Sequence, residues 1–231
     1  MSSLYIVSTP IGNLKDISIR ALETFKSVDL ILCEDTRVTQ KLLNYFDIKT
    51  KTLSYHQHSK LKKVETILNL LKEGQSLALV SDAGTPGISD PGNQLIEQIF
   101  NELLEEEIKI IPIPGPCALI TLASISGFRM DKFVFLGFPP QKRKRKKFFE
   151  EMLEYLSKHP VIFYESPYRI LKTLNEISVL NNKLSVVVGR ELTKKFETIY
   201  RGNINQVIEK IKNPSKGEKI KGEFVVILKN N

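Results

Sequence analysis

The chain has 231 residues, of which 42% are hydrophobic and 26% charged, and its formal net charge is +8. This composition is typical of a globular protein with one large domain or two small ones. No apolar run reaches the roughly 20 residues that a membrane-spanning helix needs. Two cysteines, Cys33 and Cys117, are too few for a disulfide framework, so we expect a cytoplasmic protein that does not bind a membrane.

Short apolar runs alternate with amphipathic segments in the first half of the chain. They predict strands at 4–8, 30–33, 52–55, 76–80 and 109–113. They predict helices at about 17–27, 61–72, 94–106 and 117–126, and a further helix that follows residues 34–37 and ends near residue 46. Asp16 is expected to cap the first helix. Strands that alternate with helices indicate a mainly parallel sheet.

The segment at 126–131 breaks this alternation, and the strands after it are more closely spaced. We predict strands at 133–137, 161–164, 185–189, 197–200 and 224–229. We predict helices at about 144–157 and 204–211, and a further helix that follows residues 164–169 and ends near residue 175. Close spacing favours some antiparallel pairing. The fold class is therefore α/β, with a first domain at 1–127 and a second domain with a mixed sheet at 128–231.

A cationic run stands out at the start of the predicted helix in the second domain. It consists of Lys142, Arg143, Lys144, Arg145, Lys146 and Lys147. These residues supply six positive charges, so the rest of the chain carries only +2. Adjacent cations repel each other, which indicates a polyanionic partner such as RNA. The alternative is a solvent-exposed start of a helix. The following Phe148 and Phe149 are expected to anchor that helix in the core.

The segment at 81–92 has three glycines, two prolines and two aspartates, directly after a predicted strand. A strand-to-helix connection needs far fewer such residues. Open α/β sheets bind ligands at the carboxyl ends of their strands, so we predict a ligand-binding loop. It lacks the glycine patterns of phosphate-binding loops, and Asp82 and Asp90 would repel a phosphate. A neutral or cationic ligand fits better, although either aspartate alone is also suited to capping a turn.

Polar or turn-forming clusters follow most of the predicted strands. They lie at 9–16, 34–37, 81–92, 112–116, 164–169, 190–197 and 222–223. Loops at the carboxyl ends of parallel strands face the same way, so the first-domain clusters should converge on one crevice, which second-domain loops would close. This convergence favours an enzyme. His56 and His58 lack further ligands nearby, so we expect no metal site.

Six motifs carry a resemblance to a known family. They are Thr9-Pro-Ile-Gly-Asn-Leu14, Glu34-Asp-Thr-Arg37, Ser81-Asp-Ala-Gly-Thr-Pro86 with Ile88-Ser-Asp-Pro-Gly92, Pro114-Gly115, Tyr164-Glu-Ser-Pro167 and Arg190-Glu-Leu-Thr-Lys194. In this order they resemble the bacterial small-subunit ribosomal RNA (cytidine-2'-O)-methyltransferases of the tetrapyrrole methylase superfamily. Each motif alone is weak, but their fixed order from Leu4 to Leu228 is specific.

The resemblance implies two α/β domains of the tetrapyrrole methylase type, with S-adenosyl-L-methionine (SAM) in the cleft between them, and a homodimer. It implies methyl transfer to the ribose 2'-hydroxyl of a cytidine in the decoding region of ribosomal RNA, within the small subunit. The cofactor-binding residues it implies are Pro10, Gly84, Thr85, Pro86, Ile88, Cys117, Ala118, Tyr164, Glu191, Leu192, Gly222 and Glu223. We add Asp82, because a carboxylate is compatible with a sulfonium.

The sequence departs from the family pattern at three places. Thr85 replaces the aspartate of the tetrapyrrole enzymes, and Cys117 replaces a hydroxyl residue that contacts SAM. His56-Gln-His58 keeps only part of the usual His-Asn pair.

A ribose hydroxyl is a weak nucleophile that benefits from a general base or a positioned cation. Our candidate catalytic residues are Glu34 or Asp35 as the proton acceptor, with Arg37 and Lys194 as cations that hold a phosphate or lower the pKa of the hydroxyl. The alternative for residues 34–37 is a capping cluster, in which Asp35 or Thr36 caps a helix and Arg37 pairs with a carboxylate.

Three other functions remain open from the sequence. A methylase of small tetrapyrroles fits the superfamily, but the first motif, the glycine-rich loop and the basic run argue against it. A non-catalytic RNA-binding protein explains the basic run but not the converging loops, and it would not bind SAM. A nucleotide hydrolase would need Mg²⁺ ligands and a basic phosphate site, which are not evident.

Overall fold

The computed structural model describes residues 2–56, 61–102, 108–213 and 220–231. The chain divides into two compact units, Met1–Cys117 and Ala118–Asn231. This boundary lies ten residues before the one expected at 127/128. The reason is that the helix Ala118–Ser124 packs against strands of the second unit and so belongs to it.

The first unit is built on a parallel sheet. Its elements are β1 (Ser2–Val7), α1 (Ile19–Ser27), β2 (Leu30–Cys33), α2 (Thr36–Tyr45), β3 (Thr52–Ser54), α3 (Leu61–Lys72), β4 (Leu77–Leu79), α4 (Asn93–Glu102) and β5 (Ile108–Ile113). The strand order is β3-β2-β4-β1-β5, and every pairing is parallel. The carboxyl ends of all five strands therefore face the same way, as the alternation of strands and helices predicts.

Both faces of this sheet are covered by apolar side chains. Leu32 of β2 belongs to one core cluster together with Ile67 of α3 and Leu95 of α4. Its neighbour Ile31 belongs to the other cluster together with Phe25 of α1. Successive residues of a strand point to opposite faces of the sheet, so one apolar run contributes side chains to both core clusters.

The cap predicted for α1 is wrong. Asp16 ends a short 3₁₀ turn, Leu14–Asp16, in which the amide of Lys15 donates to the side chain of Asn13. Ser18 caps α1 instead, because its hydroxyl accepts from the amide of Ala21 at 3.1 Å.

The second unit has a mixed sheet. Its elements are α5 (Ala118–Ser124), β6 (Val134–Phe135), α6 (Arg145–Leu156), β7 (Val161–Glu165), α7 (Ile170–Leu180), β8 (Ser185–Arg190), β9 (Thr198–Asn203), α8 (Ile204–Lys212) and β10 (Phe224–Lys229). The order is β6-β7-β10-β8-β9; β6 and β7 pair in parallel and the other pairs are antiparallel. Side chains of α6, α7 and α8 form one core cluster with β7, β8 and β10.

The helix α7 runs five residues past the end expected near residue 175. Asn175 does not stop it, because its side-chain amide donates to the carbonyl of Leu171 one turn earlier, at 2.6 Å. Within the described residues, no helix is long and apolar enough to cross a bilayer.

Candidate functional site

The loops that follow β1 and β4 are joined by backbone hydrogen bonds. The amide of Thr9 donates to the carbonyl of Gly84 at 2.9 Å, and the amide of Gly84 donates back at 3.1 Å. The hydroxyl of Thr9 reaches the carbonyl of Ser81 at 3.2 Å. Gly84 has a φ of +87°, which residues other than glycine rarely adopt. The first and third motifs therefore form one fixed structure.

A hydroxyl relay ties the loop after β5 to the same place. Thr85 donates from Oγ1 to the carbonyl of Pro116 at 3.1 Å, and Ser8 Oγ lies 3.0 Å from Thr85 Oγ1. Because the single proton of Thr85 goes to a carbonyl, Ser8 is the donor to Thr85. Gly115 permits this approach, since a Cβ there would lie 2.9 Å from the Cβ of Ser8. Three loops thus meet at the carboxyl ends of β1, β4 and β5.

Most of the predicted first-unit cofactor residues lie in these three loops. Pro10 and Pro86 are buried, Cys117 is half-buried, and Ile88 is 40% exposed. The second half of the glycine-rich loop borders an open pocket of about 300 Å³. That pocket is lined by Tyr55, Gly87, Ser89, Asp90, Pro91, Gly92, Asn93 and Gln94.

Asp82 connects the loop after β4 with the loop after β2, the neighbouring strand in the sheet. Its Oδ1 accepts from the backbone amide of Asp35 at 3.0 Å. Its own amide lies 3.4 Å from Oε1 of Glu34. The carboxylates of Glu34 and Asp82 therefore lie in one small cluster at this edge of the sheet.

The pKa of Glu34 is raised above its ordinary value. Burial is the main cause, and the negative charge of Asp82 adds to it. The amide of Asp82 and the charge of His56 act in the opposite direction and do not cancel the rise. His58, the other histidine of that stretch, lies outside the described residues. A raised pKa brings Glu34 closer to the range that suits a general base.

Asp35 behaves differently from its neighbour. It caps α2, accepting from the amide of Arg37 at 2.8 Å, and it binds the guanidinium of Arg37 at distances of 2.6 to 3.2 Å. These hydrogen bonds lower its pKa to about 2. The capping alternative is thus what the structure shows for Asp35 and Arg37, whereas Glu34 takes no part in it.

In the second unit, Lys194 lies between two predicted cofactor residues. Its Nζ is 3.0 Å from Oε1 of Glu191 and 2.9 Å from Oε2 of Glu223. Glu191 Oε1 also accepts from the amide of Glu223 at 3.0 Å. Burial disfavours the charged forms, but these contacts outweigh it: the pKa of Lys194 is raised and the pKa of Glu191 is lowered. Lys194 is therefore held in place by two of the predicted cofactor residues.

The backbone of this cluster is strained. Glu191 and Thr193 have φ values of 51° and 66°, and Gly222 has a φ of +91°. A Cβ on Gly222 would collide with the side chain of Glu191. Residues held in such conformations concentrate at ligand sites. Of the remaining predicted residues, Leu192 is buried against Gly189, Ala118 begins α5, and Tyr164 packs its ring against Phe135 and Phe138.

The structure corrects one of the six predicted RNA-binding residues. Arg145 is only 7% exposed: it donates to Glu176, to Thr173 and to the carbonyl of Pro140, and it lies over the ring of Phe149. Arg145 therefore has almost no exposed surface with which to contact a phosphate. The other five are exposed, namely Lys142, Arg143, Lys144, Lys146 and Lys147. Phe149 is in the core and Phe148 packs against it, as predicted.

Residues 3–208 match the family model of the Tetrapyrrole (Corrin/Porphyrin) Methylases. The chain belongs to this family. It is 47% identical over 226 residues to the Ribosomal RNA small subunit methyltransferase I of Hydrogenobaculum sp., covering 97% of this chain and 94% of that protein. The proteins of the same name from Thermotoga maritima and Escherichia coli O157:H7 are 42% and 44% identical; they are covered to 98% and 78%, and this chain to 99% in each.

Several solved structures share the fold of this chain. A cobalt precorrin-4 methyltransferase matches with a TM-score of 0.69 at 17% identity, covering 97% of this chain and 94% of that one. A diphthine synthase matches with a TM-score of 0.71 at 13% identity, covering 99% and 90%. At these identities the likeness concerns the fold alone.

Membership of this methyltransferase family implies a methyl donor of the SAM type, and the described residues fit one. Glu34 and Asp82 supply negative charge, which a sulfonium tolerates and a phosphate does not. Arg37 in the first unit and Lys194 in the second are cations among the predicted residues, and each is paired with carboxylates. Neither group of residues therefore resembles a phosphate cradle.

Sequence reasoning missed several residues that build these surroundings. Ser8 follows β1 directly, but a serine beside a Thr-Pro motif does not reveal its partner. Glu165 carried a clearer signal, because an acidic residue that ends an apolar strand needs a buried partner. The structure supplies Arg169 and Thr173 as those partners.

Proposed function

We propose that this protein transfers the methyl group of SAM to the ribose 2'-hydroxyl of a cytidine in the decoding region of small-subunit ribosomal RNA. The observation that carries the proposal is the 47% identity, over 97% of the chain, to a protein named Ribosomal RNA small subunit methyltransferase I. The ribose position and the decoding region come from the motif resemblance. The proposal includes a cytoplasmic homodimer that acts on the small subunit.

SAM would supply an electrophilic methyl group, and the residues proposed to hold it are fixed within each unit. In the first unit, Gly84 and Thr85 are fixed by their bonds to Thr9 and Pro116. In the second unit, Glu191 is fixed by Lys194 and by the amide of Glu223. Loops held in this way need little reordering when a ligand binds, which favours affinity.

Glu34 is the residue we assign as the proton acceptor. It is half-buried and its pKa is raised, whereas the carboxylate of Asp35 is bound to the guanidinium of Arg37. A group that accepts the proton of a hydroxyl in the transition state works best when its pKa approaches the working pH. Asp35, with a pKa of about 2, is a weak base and instead fixes the start of α2.

The two candidate cations take different roles in this proposal. Arg37 is bound to Asp35 but keeps 86% of its side chain exposed, so its outer face remains open to an RNA phosphate. Lys194 is a positioning residue, because it holds Glu191 and Glu223 rather than a substrate.

The five exposed cations of the basic run would bind the RNA backbone. If each of them neutralised one phosphate of a single strand, the log–log dependence of affinity on salt would have a slope of about −3.5. Binding of SAM should depend far less on salt.

The test is a transfer assay with labelled SAM and small ribosomal subunits that lack this methylation. Label at a single cytidine that resists alkaline cleavage, the mark of a blocked 2'-hydroxyl, is the expected result. Label on a base would overturn the ribose assignment. SAM binding without transfer to any subunit RNA would overturn the substrate class, and tetrapyrroles would be tested next.

A further inference from the structure

Residues 138–144, which we call the cation loop, contain a buried proline that is followed by exposed cations. Pro139 is buried and Pro140 is half-buried, whereas Lys142, Arg143 and Lys144 are exposed. Prolines lack an amide hydrogen, so this part of the backbone can be held only through its carbonyl groups.

Two arginines hold those carbonyls. Arg169 donates from Nη1 to the carbonyl of Pro139 at 3.0 Å, and Arg145 donates from Nη1 to the carbonyl of Pro140 at 2.8 Å. They come from different helical segments, since Arg145 begins α6 and Arg169 precedes α7. The loop is therefore fixed at two successive residues from two directions.

The two arginines are themselves joined by a buried polar network. Arg169 pairs with Glu165 at 2.8 Å, and Glu165 accepts from the hydroxyl of Thr173 at 2.6 Å. Thr173 accepts from Arg145 at 2.7 Å, and Arg145 pairs with Glu176 at 2.6 Å. Glu165 and Thr173 are almost completely buried. A buried network with every partner present is rigid and specifies one arrangement.

The cation loop is also tied to a residue of the predicted cofactor site. The ring of Phe138 lies 5.4 Å from the ring of Tyr164. Lys142 follows Phe138 by four positions along the chain, so their Cα atoms are at most about 14 Å apart. The cations therefore begin four positions after a residue that contacts Tyr164.

We propose that Arg145 and Arg169 are positioning residues that hold the cation loop in place, so that Lys142, Arg143 and Lys144 form a preformed docking surface for the RNA backbone. The proposal rests on the proposed RNA substrate. Charge complementarity selects a polyanion as the occupant, and two fixed carbonyl contacts explain why the cations need not be ordered during binding.

The first test uses charge-neutralised variants and a 20-nucleotide labelled oligocytidine RNA, titrated at several salt concentrations. Lys142→Gln/Arg143→Gln is expected to weaken binding and to reduce the log–log salt slope by about 1.4. The matched control, Lys158→Gln/Lys183→Gln, removes two exposed cations of the same unit. Equal losses in the two variants would overturn the proposal.

The second test separates positioning from charge. Arg169→Lys keeps a cation for Glu165 but loses the planar fork that reaches Pro139. We expect faster hydrogen exchange of the amides at 141–144, RNA binding weaker by about tenfold, and an unchanged salt slope, because ordering the loop then opposes binding while its cations remain. Arg145→Lys, which loosens Pro140 instead, is the second variant if the first does not fold.

Unchanged exchange at 141–144, or unchanged RNA affinity in both arginine variants, would overturn the positioning role. A reduced salt slope in Arg169→Lys would also overturn it, because Arg169 would then contact phosphate directly. SAM affinity should stay constant throughout. A wild-type protein that shows this RNA behaviour but transfers no methyl group supports the docking surface and overturns the proposed function.

Discussion

The backbone amide of Asp82 lies 3.4 Å from Oε1 of Glu34 and so holds one acidic residue beside another. The two residues follow β4 and β2, which are neighbours in the sheet. Their proximity contributes to the raised pKa of Glu34, whose main cause is burial. Sequence motifs alone treat Glu34 and Asp35 as equivalent, whereas this geometry separates them.

Replacing Glu34 by glutamine tests the proton acceptor. Glu34→Gln keeps the shape of the side chain but cannot take a proton, so methyl transfer should fall about 100-fold or more. SAM affinity should change little. Single-turnover transfer to unmethylated small subunits measures the rate, and equilibrium titration measures SAM binding.

The matched control is Asp35→Asn, in which asparagine caps α2 as well as aspartate does. It should retain most of the transfer rate. An equal loss in both variants would assign the effect to the structure of the 34–37 segment rather than to a base at Glu34.

The pH dependence of transfer follows from the raised pKa of Glu34. Because the base must be ionised, the rate should fall on the acid side at a pH above the range of an ordinary glutamate. Asp82→Asn removes a charge that raises this pKa, so the acid limb should move to lower pH. A limb that stays in place in that variant would exclude Glu34 as its origin.

The same pKa shift predicts a change in stability. A carboxyl whose pKa is raised on folding binds protons better in the native state, so its ionised form destabilises the protein at neutral pH. This cost is relieved as the pH falls from the folded pKa toward the unfolded value. Glu34→Gln should therefore be more stable than the wild type in urea at pH 7, with the difference vanishing near pH 4. A variant less stable at pH 7 would contradict this sign.

Gly222→Ala probes the cluster around Glu191. Gly222 has a φ of +91°, and a methyl group there collides with the side chain of Glu191. We expect about 1 kcal/mol of backbone strain together with a loss of SAM affinity, because Glu191 must leave Lys194. Calorimetry of SAM binding and thermal unfolding measure the two effects.

Gly74→Ala is the control for that variant. Gly74 has a φ of +89°, but a Cβ there meets nothing within 4 Å. It should show the strain without the loss of SAM affinity. If both variants bind SAM like the wild type, the Glu191 cluster does not contribute to the cofactor site.

Thr85→Val tests the hydroxyl relay. Valine fills the same space but leaves the hydroxyl of Ser8 and the carbonyl of Pro116 without their partner. The free energy of unfolding should fall by about 2 kcal/mol, and SAM should bind more weakly. Thr66→Val is the control, because Thr66 is exposed on α3. Removing its hydroxyl should lower the free energy of unfolding by no more than about 0.5 kcal/mol. Similar costs at both positions would argue against the relay.

Arg145→Gln and Lys147→Gln separate structure from RNA binding within one basic run. Removing the buried Arg145 takes from Glu176 its close partner, so that Glu176 keeps the 3.9 Å contact with Lys172, and it takes from the carbonyl of Pro140 its donor. The loss should cost about 3 kcal/mol of stability. It should leave the salt slope of RNA binding unchanged at a temperature where the variant is folded. Lys147→Gln should be stable and should reduce the slope by about 0.7. The reverse pattern would return Arg145 to the RNA-binding set.

Much of the fold could be read from local patterns. The bounds of β2, α3 and β10 agree with the predicted ranges, because apolar periodicity and flanking turn residues define them. The predicted end of α7 and the predicted cap of α1 were wrong. The side chains of Asn175 and Ser18 form hydrogen bonds that composition does not specify. The observed boundary between the units differs from the predicted one, because the packing of α5 and not a break in the sequence pattern decides where a unit ends.

The sequence by itself determined the family, the mainly parallel character of the first sheet, and the residues at the strand ends, because short-range patterns and motifs encode them. Only the tertiary structure decided which carboxylate is available: Asp35 is bound by Arg37, whereas Glu34 lies beside Asp82. Only the tertiary structure showed that Arg145 is buried among Thr173 and Glu176, far along the chain. The pKa and the accessibility of a charged group depend on burial and on partners brought together by folding. The neighbouring residues in the sequence determine neither the burial nor the partners.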